Sequence, residues 1–423
     1  MGLSMTALQH STTPPLPSSS ASVIVIGGGA AGFFGAIACA EANPAAHVLL
    51  LEKSPELLAK VTLSGGGRCN VTHYCFEVAH LVERYPRGGR ELQGPFHRFQ
   101  PRDTVQWFEA RGVELKTESD GRMFPVSDSS ASIVDCLKAA ARQAGVEVRT
   151  SCGVTAMAVR PEGGFALQLS TGEPLACDRV LLATGGNRDT GGYALAANLG
   201  HTIEPPVPSL FTFQIEDTRW HALSGVSVAD VTASAPAFRL QQRGPLLVTH
   251  WGLSGPAILK LSAWGARVFA ACDYQFEVQI NWVPGLKRGE FLEQVRRYRA
   301  EHPNRQVDAN PLFQLPQRLW HRLTGEVGVR TWTQVSNAAV EKLAADVQAC
   351  SFAVQGKSTN KDEFVTCGGV RLREVDFRTM ESRVCPGLHL AGEVLDVDAV
   401  TGGFNFQAAW TTGWLAGQAM AAG

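Results

Sequence analysis

Three glycines and one glutamate near the start of the sequence have the spacing of a dinucleotide-binding fingerprint. Gly27, Gly29 and Gly32 occupy the glycine positions of G-x-G-x-x-G, and Glu52 follows twenty residues after Gly32. In this motif the glycines permit a tight turn, a close approach of backbone to a pyrophosphate, and packing of a helix against a strand. A carboxylate at the position of Glu52 can accept hydrogen bonds from the hydroxyls of an adenosine ribose. The predicted chemistry is recognition of a dinucleotide.

The fingerprint lies in a stretch whose apolar pattern predicts strand, turn, helix and strand, beginning at Ser22. Residues 145–186 predict a strand, a β-meander with turns at 161–164 and 171–174, and a buried strand ending in Ala-Thr-Gly-Gly. Residues 385–420 predict a strand, an acidic turn and a helix that begins after two glycines. An NAD dehydrogenase would instead continue with alternating parallel strands and helices. The predicted fold class is therefore α/β, with a discontinuous Rossmann-like domain completed by the end of the chain.

The remaining segments predict an inserted domain and a tail. Residues 1–21 are rich in Pro, Ser and Thr, which predicts a disordered tail. Residues 206–284 contain short alternating runs separated by Gly and Pro, typical of a β-rich domain, and residues 285–356 contain apolar positions at helical spacing. The nucleotide-binding domain then comprises residues 22–205 and 357–423.

Composition limits the classes of partner. The chain has 423 residues, 38 basic against 39 acidic side chains and 45% apolar residues, so no overall charge attracts nucleic acid or anionic lipid. Ten cysteines lack paired metal spacing, and no apolar run has the length of a membrane span. We expect a small-molecule substrate, no metal, no nucleic acid, no membrane and a cytoplasmic location. The sequence does not indicate an oligomeric state.

Several motifs together resemble one flavoprotein family. They are the fingerprint, SGGGRCN, RVLLATGG, THWGLSGPAIL and GLHLAGEVLDVDAVTGGFNFQAAWTTGWLAG, and the resemblance extends over nearly everything after Ser22. The chain resembles the aminoacetone oxidase family of FAD-binding enzymes, also described as bile-acid Δ4,6-reductase-like NAD(P)/FAD-dependent oxidoreductases. This resemblance implies an FAD-binding domain at residues 22–205 and 357–423, with an inserted β-rich domain.

The segment SGGGRCN, residues 64–70, has three possible interpretations: a phosphate-binding loop, a site with a redox-active cysteine, or a surface turn. The resemblance favours an FAD cradle, since a glycine run lets backbone N–H groups face phosphates or ring edges. Arg68 is then a partner for pyrophosphate or a substrate anion, and Asn70 for the loop or the flavin. Five residues separate Cys69 from Cys75, one more than in disulfide-exchanging flavoenzymes, which favours a packing or flavin-contacting thiol over a redox disulfide.

The C-terminal motif is expected to hold the other end of FAD. Among Glu393, Asp396 and Asp398, one or two carboxylates are expected to bind ribityl hydroxyls, as the resemblance implies. Gly402 and Gly403 begin a helix whose N-terminal amides can stabilise negative charge on the reduced flavin. The remaining predicted cofactor contacts are Ala31, Lys53, Ser64, Gly65, Gly66, Val154, Ala183, Thr184, Gly185, Gly392, Asn405 and Phe406.

The predicted function is that of an FAD-dependent oxidoreductase that passes a hydride between a donor and an organic acceptor or oxygen. The sequence contains one complete dinucleotide fingerprint, so the donor is NAD(P)H bound transiently or an amine. His250, in THWGLSGPAIL, is the candidate proton donor; the alternative interpretation is that His250 has only a structural role. His73, Tyr74 and Arg122 are weaker candidates. The alternative class is a noncatalytic FAD-binding or RNA-associated protein that uses flavin as a structural ligand or sensor.

Overall fold

The computed structural model describes residues 21–186, 191–358 and 365–422. The predicted tail lies outside the described residues except for Ala21. The helices are α1 Ala30–Ala42, α2 Ala59–Gly67, α3 Val78–Val82, α4 Gly89–Arg98, α5 Pro101–Glu109, α6 Ser130–Gln143, α7 Gly192–Asn198, α8 Thr218–His221, α9 Pro256–Ala271, α10 Arg288–Glu301, α11 Gln317–Thr324, α12 Asn337–Gln348 and α13 Phe404–Ala422. The strands are β1 Ser22–Ile26, β2 His47–Leu51, β3 Thr72–His73, β4 Leu115–Thr117, β5 Arg122–Pro125, β6 Glu147–Arg149, β7 Val154–Val159, β8 Phe165–Leu169, β9 Pro174–Cys177, β10 Arg179–Leu182, β11 Ile203–Ser209, β12 Thr212–Ile215, β13 Ser227–Ala235, β14 Leu240–Val248, β15 Gly252–Ser254, β16 Phe276–Asn281, β17 Cys350–Ser358, β18 Val365–Val370, β19 Val375–Asp376, β20 Glu381–Ser382 and β21 Leu388–Leu390.

The chain forms two compact units. The first comprises the described residues up to Pro206, Gly368–Val397 and the described residues from Gly402 onward; the second comprises Val207–Cys367 and Asp398–Thr401. The sequence analysis predicted that the inserted region ends at residue 356 and that the nucleotide-binding domain resumes at residue 357, rather than at Cys367 and Gly368. It also predicted that residues 398–401 belong to the nucleotide-binding domain.

A mainly parallel sheet forms the centre of the first unit. Its order is β19-β20-β21-β10-β1-β2-β6, and β1 is parallel to both β2 and β10. The C-terminal strand β21 is parallel to β10, so the end of the chain completes the sheet. This confirms the predicted discontinuous Rossmann-like fold. The meander β7-β8-β9 also has the predicted antiparallel pairing.

Small residues bring α1 and α13 together in the core of the first unit. A Cβ at Gly413 would lie 2.5 Å from the carbonyl oxygen of Ala31, and one at Gly417 would lie 2.4 Å from that of Gly35. Ten of the thirteen residues of α1 are buried, which its run of alanine, glycine and phenylalanine permits. The close packing ties the fingerprint helix to the C-terminal helix.

The second unit contains a closed antiparallel barrel of order β12-β15-β14-β13-β16-β17. Strand β17 lies largely within the range 285–356, for which the sequence predicted only helices. Its residues alternate between buried and exposed, with Phe352 and Val354 inside, and it pairs with both β12 and β16 to close the barrel. Helix α9 falls within the range predicted to be β-rich. It begins at Pro256 after Gly255, and proline at the first position is typical of a helix start. The short strand-like runs on either side led to the β-rich prediction instead.

Candidate cofactor site

The fingerprint glycines form the turn from β1 into α1. A Cβ at Gly32 would lie 1.9 Å from the carbonyl oxygen of Gly27, and one at Gly27 would lie 2.4 Å from that of Ala183. A Cβ at Gly29 would instead meet no heavy atom within 4 Å. Gly29 is the N-cap of α1, which has no side-chain cap and no acidic residue in its first turn. The turn is therefore closed on its protein side and open where a phosphate would approach the helix N-terminus.

Glu52 lies directly after β2, beside this turn. Its carboxylate accepts hydrogen bonds from the backbone N–H groups of Gly28, at 2.7 Å, and Ser54, at 2.9 Å. The two bonds hold the carboxylate against the glycine turn, with lone pairs remaining for other donors. The fingerprint residues are thus brought together as the sequence predicts.

The segment SGGGRCN follows the helical part of α2. Ser64 has an extended ψ of 151°, and Gly65, Gly66 and Gly67 have φ values of 60°, 68° and 82°. All three glycines are exposed, and a Cβ at Gly66 or Gly67 would meet nothing within 4 Å. The left-handed backbone explains the glycine run, and the open surface suits a ligand approaching backbone N–H groups.

Arg68 is already paired in this structure. Its Nη1 donates to Glu118 at 2.7 Å, and its guanidinium lies 4.0 Å from the centroid of the Phe124 ring. A Cβ at Gly65 would lie 2.9 Å from the same ring. Arg68 and Phe124 therefore fix the base of the glycine loop, a role that the sequence did not predict.

Cys69 is fully buried, with a left-handed φ of 61°. Burial raises the pKa of its thiol to about 12, although a hydrogen bond with Ser64 acts in the opposite direction. Cys75 is half-buried, and burial raises its pKa as well. A thiol that stays protonated near neutral pH is a poor nucleophile, as the packing interpretation requires.

Buried polar side chains fix the start of α13. With its amide oxygen facing Gly403, Asn70 accepts from that residue's backbone N–H and donates to the Thr72 carbonyl, both at 3.0 Å. Gln407 is fully buried and accepts hydrogen bonds from the hydroxyls of Thr72, at 2.6 Å, and Thr104, at 2.9 Å. Sequence reasoning missed Gln407 and Thr104; a glutamine among apolar residues of a buried helix was the available signal.

The acidic residues after β21 separate into different roles. Glu393 pairs with Lys60 of α2 at 2.5 Å and retains 20% side-chain exposure. Asp396 is buried within the first unit. Asp398 belongs to the second unit, where its carboxylate accepts from the Ser209 hydroxyl at 2.7 Å. Glu393 is therefore the accessible carboxylate of the three.

The two candidate histidines lie in different units. His250 is exposed in the turn between β14 and β15, within the barrel unit. His73 ends β3, where its ring stacks on Phe404, the first residue of α13, with centroids 4.6 Å apart. Its Nε2 donates to the Asp120 carbonyl at 3.2 Å. The structure thus brings His73, the weaker sequence candidate, to the start of α13.

The other predicted contacts lie around the same elements of the first unit. A Cβ at Gly392 would lie 2.8 Å from that of Ala31, and the Gly392 N–H donates to the Thr412 hydroxyl at 2.9 Å. Phe406 stacks on Trp410 with centroids 5.6 Å apart. The rest follow β2 or β10, begin β7 or occupy the first turn of α13: Lys53, Ala183, Thr184, Gly185, Val154 and Asn405.

These features fit the adenosine diphosphate part of FAD. The turn at Gly27 and Gly32 excludes any side chain, the space at Gly29 admits a phosphate, and Glu52 is fixed nearby as a ribose acceptor. Glu393 and the start of α13 lie after the last parallel strand, where the rest of a flavin dinucleotide would extend.

The comparison with protein families agrees with this geometry. Residues 21–419 match the model described as the HI0933-like protein Rossmann domain. The chain belongs to this family. The family is one of FAD-binding oxidoreductases, which confirms the resemblance inferred from the motifs.

Two curated relatives are similar over nearly their whole length. A 3-dehydro-bile acid delta(4,6)-reductase from Clostridium scindens is 28% identical over 401 residues, 92% of this chain and 96% of the relative. A ribosomal RNA dihydrouridine synthase from Escherichia coli is 31% identical over 400 residues, 92% and 95% of the respective chains.

A solved structure has the same overall fold. The 3-ketosteroid-Δ4-(5α)-dehydrogenase from Rhodococcus jostii RHA1 aligns with a TM-score of 0.51 at 14% identity, over 96% of this chain and 98% of that chain. At this identity the similarity concerns the fold alone. Among the described residues, no helix is both long and apolar enough to cross a membrane.

Proposed function

We propose that this FAD-dependent oxidoreductase reduces a carbon–carbon double bond conjugated to a carbonyl, and that its acceptor is uridine in ribosomal RNA. The names of both curated relatives describe the reduction of such a bond, in a 3-oxo bile acid and in uridine. The observation that carries the proposal is the 31% identity over 400 residues to the ribosomal RNA dihydrouridine synthase. This acceptor differs from the small molecule expected from composition.

The proposed donor is NAD(P)H, because reduction of a double bond requires two electrons from outside the protein. FAD held by the fingerprint turn and Glu52 would supply the hydride-transfer chemistry between NAD(P)H and the substrate. With one proton added, NAD(P)H and uridine become NAD(P)⁺ and dihydrouridine. The hydride bonds to C6 of uridine, which is conjugated through C5 to the C4 carbonyl, and the proton bonds to C5.

The chain's own residues would bind the cofactor and supply the proton. The fingerprint turn and Glu52 would hold the adenosine end, and the amides at the start of α13 would face the electron-rich end of the flavin. His73 is supported as the proton donor because it stacks on Phe404 and its bond to the Asp120 carbonyl orients the ring. His250 remains the alternative donor predicted from the sequence.

An anaerobic half-reaction experiment tests the proposal. The flavin of the purified protein is first reduced with NADPH or NADH, and its reoxidation is then followed after adding unmodified ribosomal RNA, a 3-oxo-4,6-diene steroid or no acceptor. We expect reoxidation by RNA, and nucleosides from that RNA should include one that is heavier by two hydrogens. Reoxidation by the steroid alone would refute uridine as the acceptor.

Two histidine variants separate the proton donors. His73→Asn should slow reoxidation by RNA about a hundredfold or more, the contribution typical of a general acid, while reduction by NAD(P)H changes little. His250→Gln is the matched variant in the barrel unit and should leave both steps near wild type. The reverse pattern would assign the proton to His250. No reduction by either nicotinamide would favour an amine donor or the noncatalytic alternative.

A further inference from the structure

An aromatic segment with arginines around it follows the glycine loop on the first unit. The side chain of Tyr74 is 61% exposed, and its ring lies 4.5 Å from that of Phe76, at 57° between planes. The guanidinium of Arg102 lies 5.1 Å from the centroid of the Phe76 ring. The side chain of Arg84 forms a hydrogen bond with Cys75, which lies between the two rings in the chain, and Arg84 and Arg102 are both exposed. We call Tyr74, Phe76, Arg84 and Arg102 the aromatic–arginine surface.

The backbone beneath this surface is fixed. Strand β3 is antiparallel to β5, with Thr72 opposite Met123 and His73 opposite Arg122. The N–H of Tyr74 donates to the carbonyl of Gly121 at 2.8 Å. These bonds fix the backbone up to the residue that carries the exposed tyrosine ring, so little backbone ordering is needed when a planar ligand stacks on that ring.

The charge of this region differs from that of the whole chain. Residues 73–102 contain five arginines and no lysine, against three glutamates and no aspartate, whereas the chain as a whole has a net charge of −1. Of these arginines, Arg84, Arg90 and Arg102 are exposed, and each lies in a helix of the first unit or directly beside one. Arginine beside neighbouring aromatic rings matches the phosphates and bases of a single-stranded nucleic acid.

The surface adjoins the start of α13. His73, the residue before Tyr74, stacks on Phe404 with centroids 4.6 Å apart, and its Cδ2 lies 3.4 Å from the position of a Cβ on Gly402. The same helix start would face the reacting end of the flavin. A nucleotide bound at Tyr74 would therefore be a near neighbour of a base that reacts there.

We propose that the aromatic–arginine surface binds single-stranded RNA beside the reacting uridine, with a neighbouring base stacked on Tyr74 and phosphates held by Arg84 and Arg102. The inference rests on the proposed function and adds the residues that would bind the RNA. A steroid acceptor has no phosphates for these arginines to bind, so the charge of the surface favours RNA over the other acceptor class.

The test measures binding of a fluorescently labelled oligouridylate to the FAD-loaded protein by anisotropy. Tyr74→Ala should raise Kd about tenfold, since stacking of one base on an aromatic ring has that effect or more. Tyr74→Phe keeps the ring and should stay within about twofold of wild type. Trp264→Ala, which removes a 40% exposed ring from α9 in the other unit, is the matched control and should leave Kd unchanged.

Salt dependence tests the arginines. Arg84→Gln and Arg102→Gln should each lower the slope of log Kd against log salt by about 0.7, as expected when one phosphate contact to a single strand is lost. FAD content and thermal melting of each variant check that the protein remains folded. An unchanged slope in both variants would refute the phosphate contacts.

The outcomes distinguish this inference from the proposed function. If wild-type protein forms dihydrouridine but Tyr74→Ala binds oligouridylate as wild type does, the surface is wrong and the function stands. If Tyr74→Ala weakens binding but no dihydrouridine forms, the surface stands and the function is wrong. A wild-type protein that neither binds oligouridylate nor reduces RNA would refute both.

Discussion

A methyl group at Gly29 gives a direct test of the cofactor site. A Cβ there meets no heavy atom within 4 Å, and the φ of −92° and ψ of −169° are accessible to alanine. Alanine is a poorer N-cap than glycine, so Gly29→Ala should lower the free energy of unfolding of the apoprotein by no more than about 1 kcal/mol. The fold should therefore tolerate the substitution.

The same methyl should hinder FAD. It would occupy the space through which a pyrophosphate reaches the backbone N–H groups at the start of α1, and carbon contacts require about 3.5–4 Å. We expect the Kd for FAD to rise about tenfold to a hundredfold, which corresponds to about 1.4–2.8 kcal/mol. Calorimetric titration of the apoprotein with FAD measures this change, and urea unfolding of the same samples measures stability.

Two other glycines serve as controls. Gly94→Ala, in α4, adds a methyl that also meets nothing within 4 Å, and it should leave FAD affinity unchanged. Gly32→Ala places its methyl 1.9 Å from the Gly27 carbonyl oxygen, so stability should fall by about 1–3 kcal/mol along with FAD binding. Wild-type FAD affinity in Gly29→Ala would refute the assignment of this turn to the pyrophosphate.

Four other variants examine neighbouring features. Glu52→Ala removes the acceptor of two backbone N–H groups and of the ribose, so FAD release should accelerate more than melting temperature falls; unchanged flavin occupancy would contradict this. Cys69→Ser should retain flavin reduction by NAD(P)H, and thiol titration should detect no new pair after reduction. Gln407→Leu leaves the Thr72 and Thr104 hydroxyls without their buried acceptor, so the flavin reduction potential should shift as the start of α13 moves. Burial lowers the pKa of His389 to about 4, so only the unfolded state binds its proton between about pH 6.5 and 4; stability should fall by about 3 kcal/mol across that range, and His389→Leu should reduce the loss.

The nucleotide half of the fold was predictable because each of its signals is local. The run SVIVI before Gly27 and the apolar run before Glu52 are both buried strands, and the helix between them is small and apolar on every side. The long C-terminal motif predicted that the end of the chain supplies the last strand of the sheet, and in the structure this strand, β21, is parallel to β10. The boundaries of the inserted unit were harder to predict. Strand β17 pairs with β12, which lies more than 130 residues earlier, and nothing in the sequence of β17 specifies that partner.

The parts of the site that sequence reasoning missed depend on contacts between distant segments. Arg68 was expected to face an anion, but Glu118 and Phe124, fifty or more residues later, already hold it. Gln407 has its hydrogen-bond donors only because the fold brings Thr72 and Thr104 against α13. Residue type indicated that these side chains were polar and capable of hydrogen bonding, whereas their partners were determined by tertiary packing.

A Ser–His–Glu arrangement in the first unit shows why residue type and distance do not suffice for assigning chemistry. The Ser382 hydroxyl lies 2.9 Å from Nε2 of His201, whose Nδ1 lies 3.2 Å from Glu374. Burial lowers the pKa of His201, although Glu374 acts in the opposite direction, so the ring is neutral near pH 7. Its side chain has no exposed surface, and the Ser382 oxygen also accepts from the backbone N–H groups of Val384 and Cys385. A nucleophile must reach its substrate, and this hydroxyl is enclosed and already hydrogen-bonded, so the three residues tie β20 to the end of α7 rather than catalyse hydrolysis.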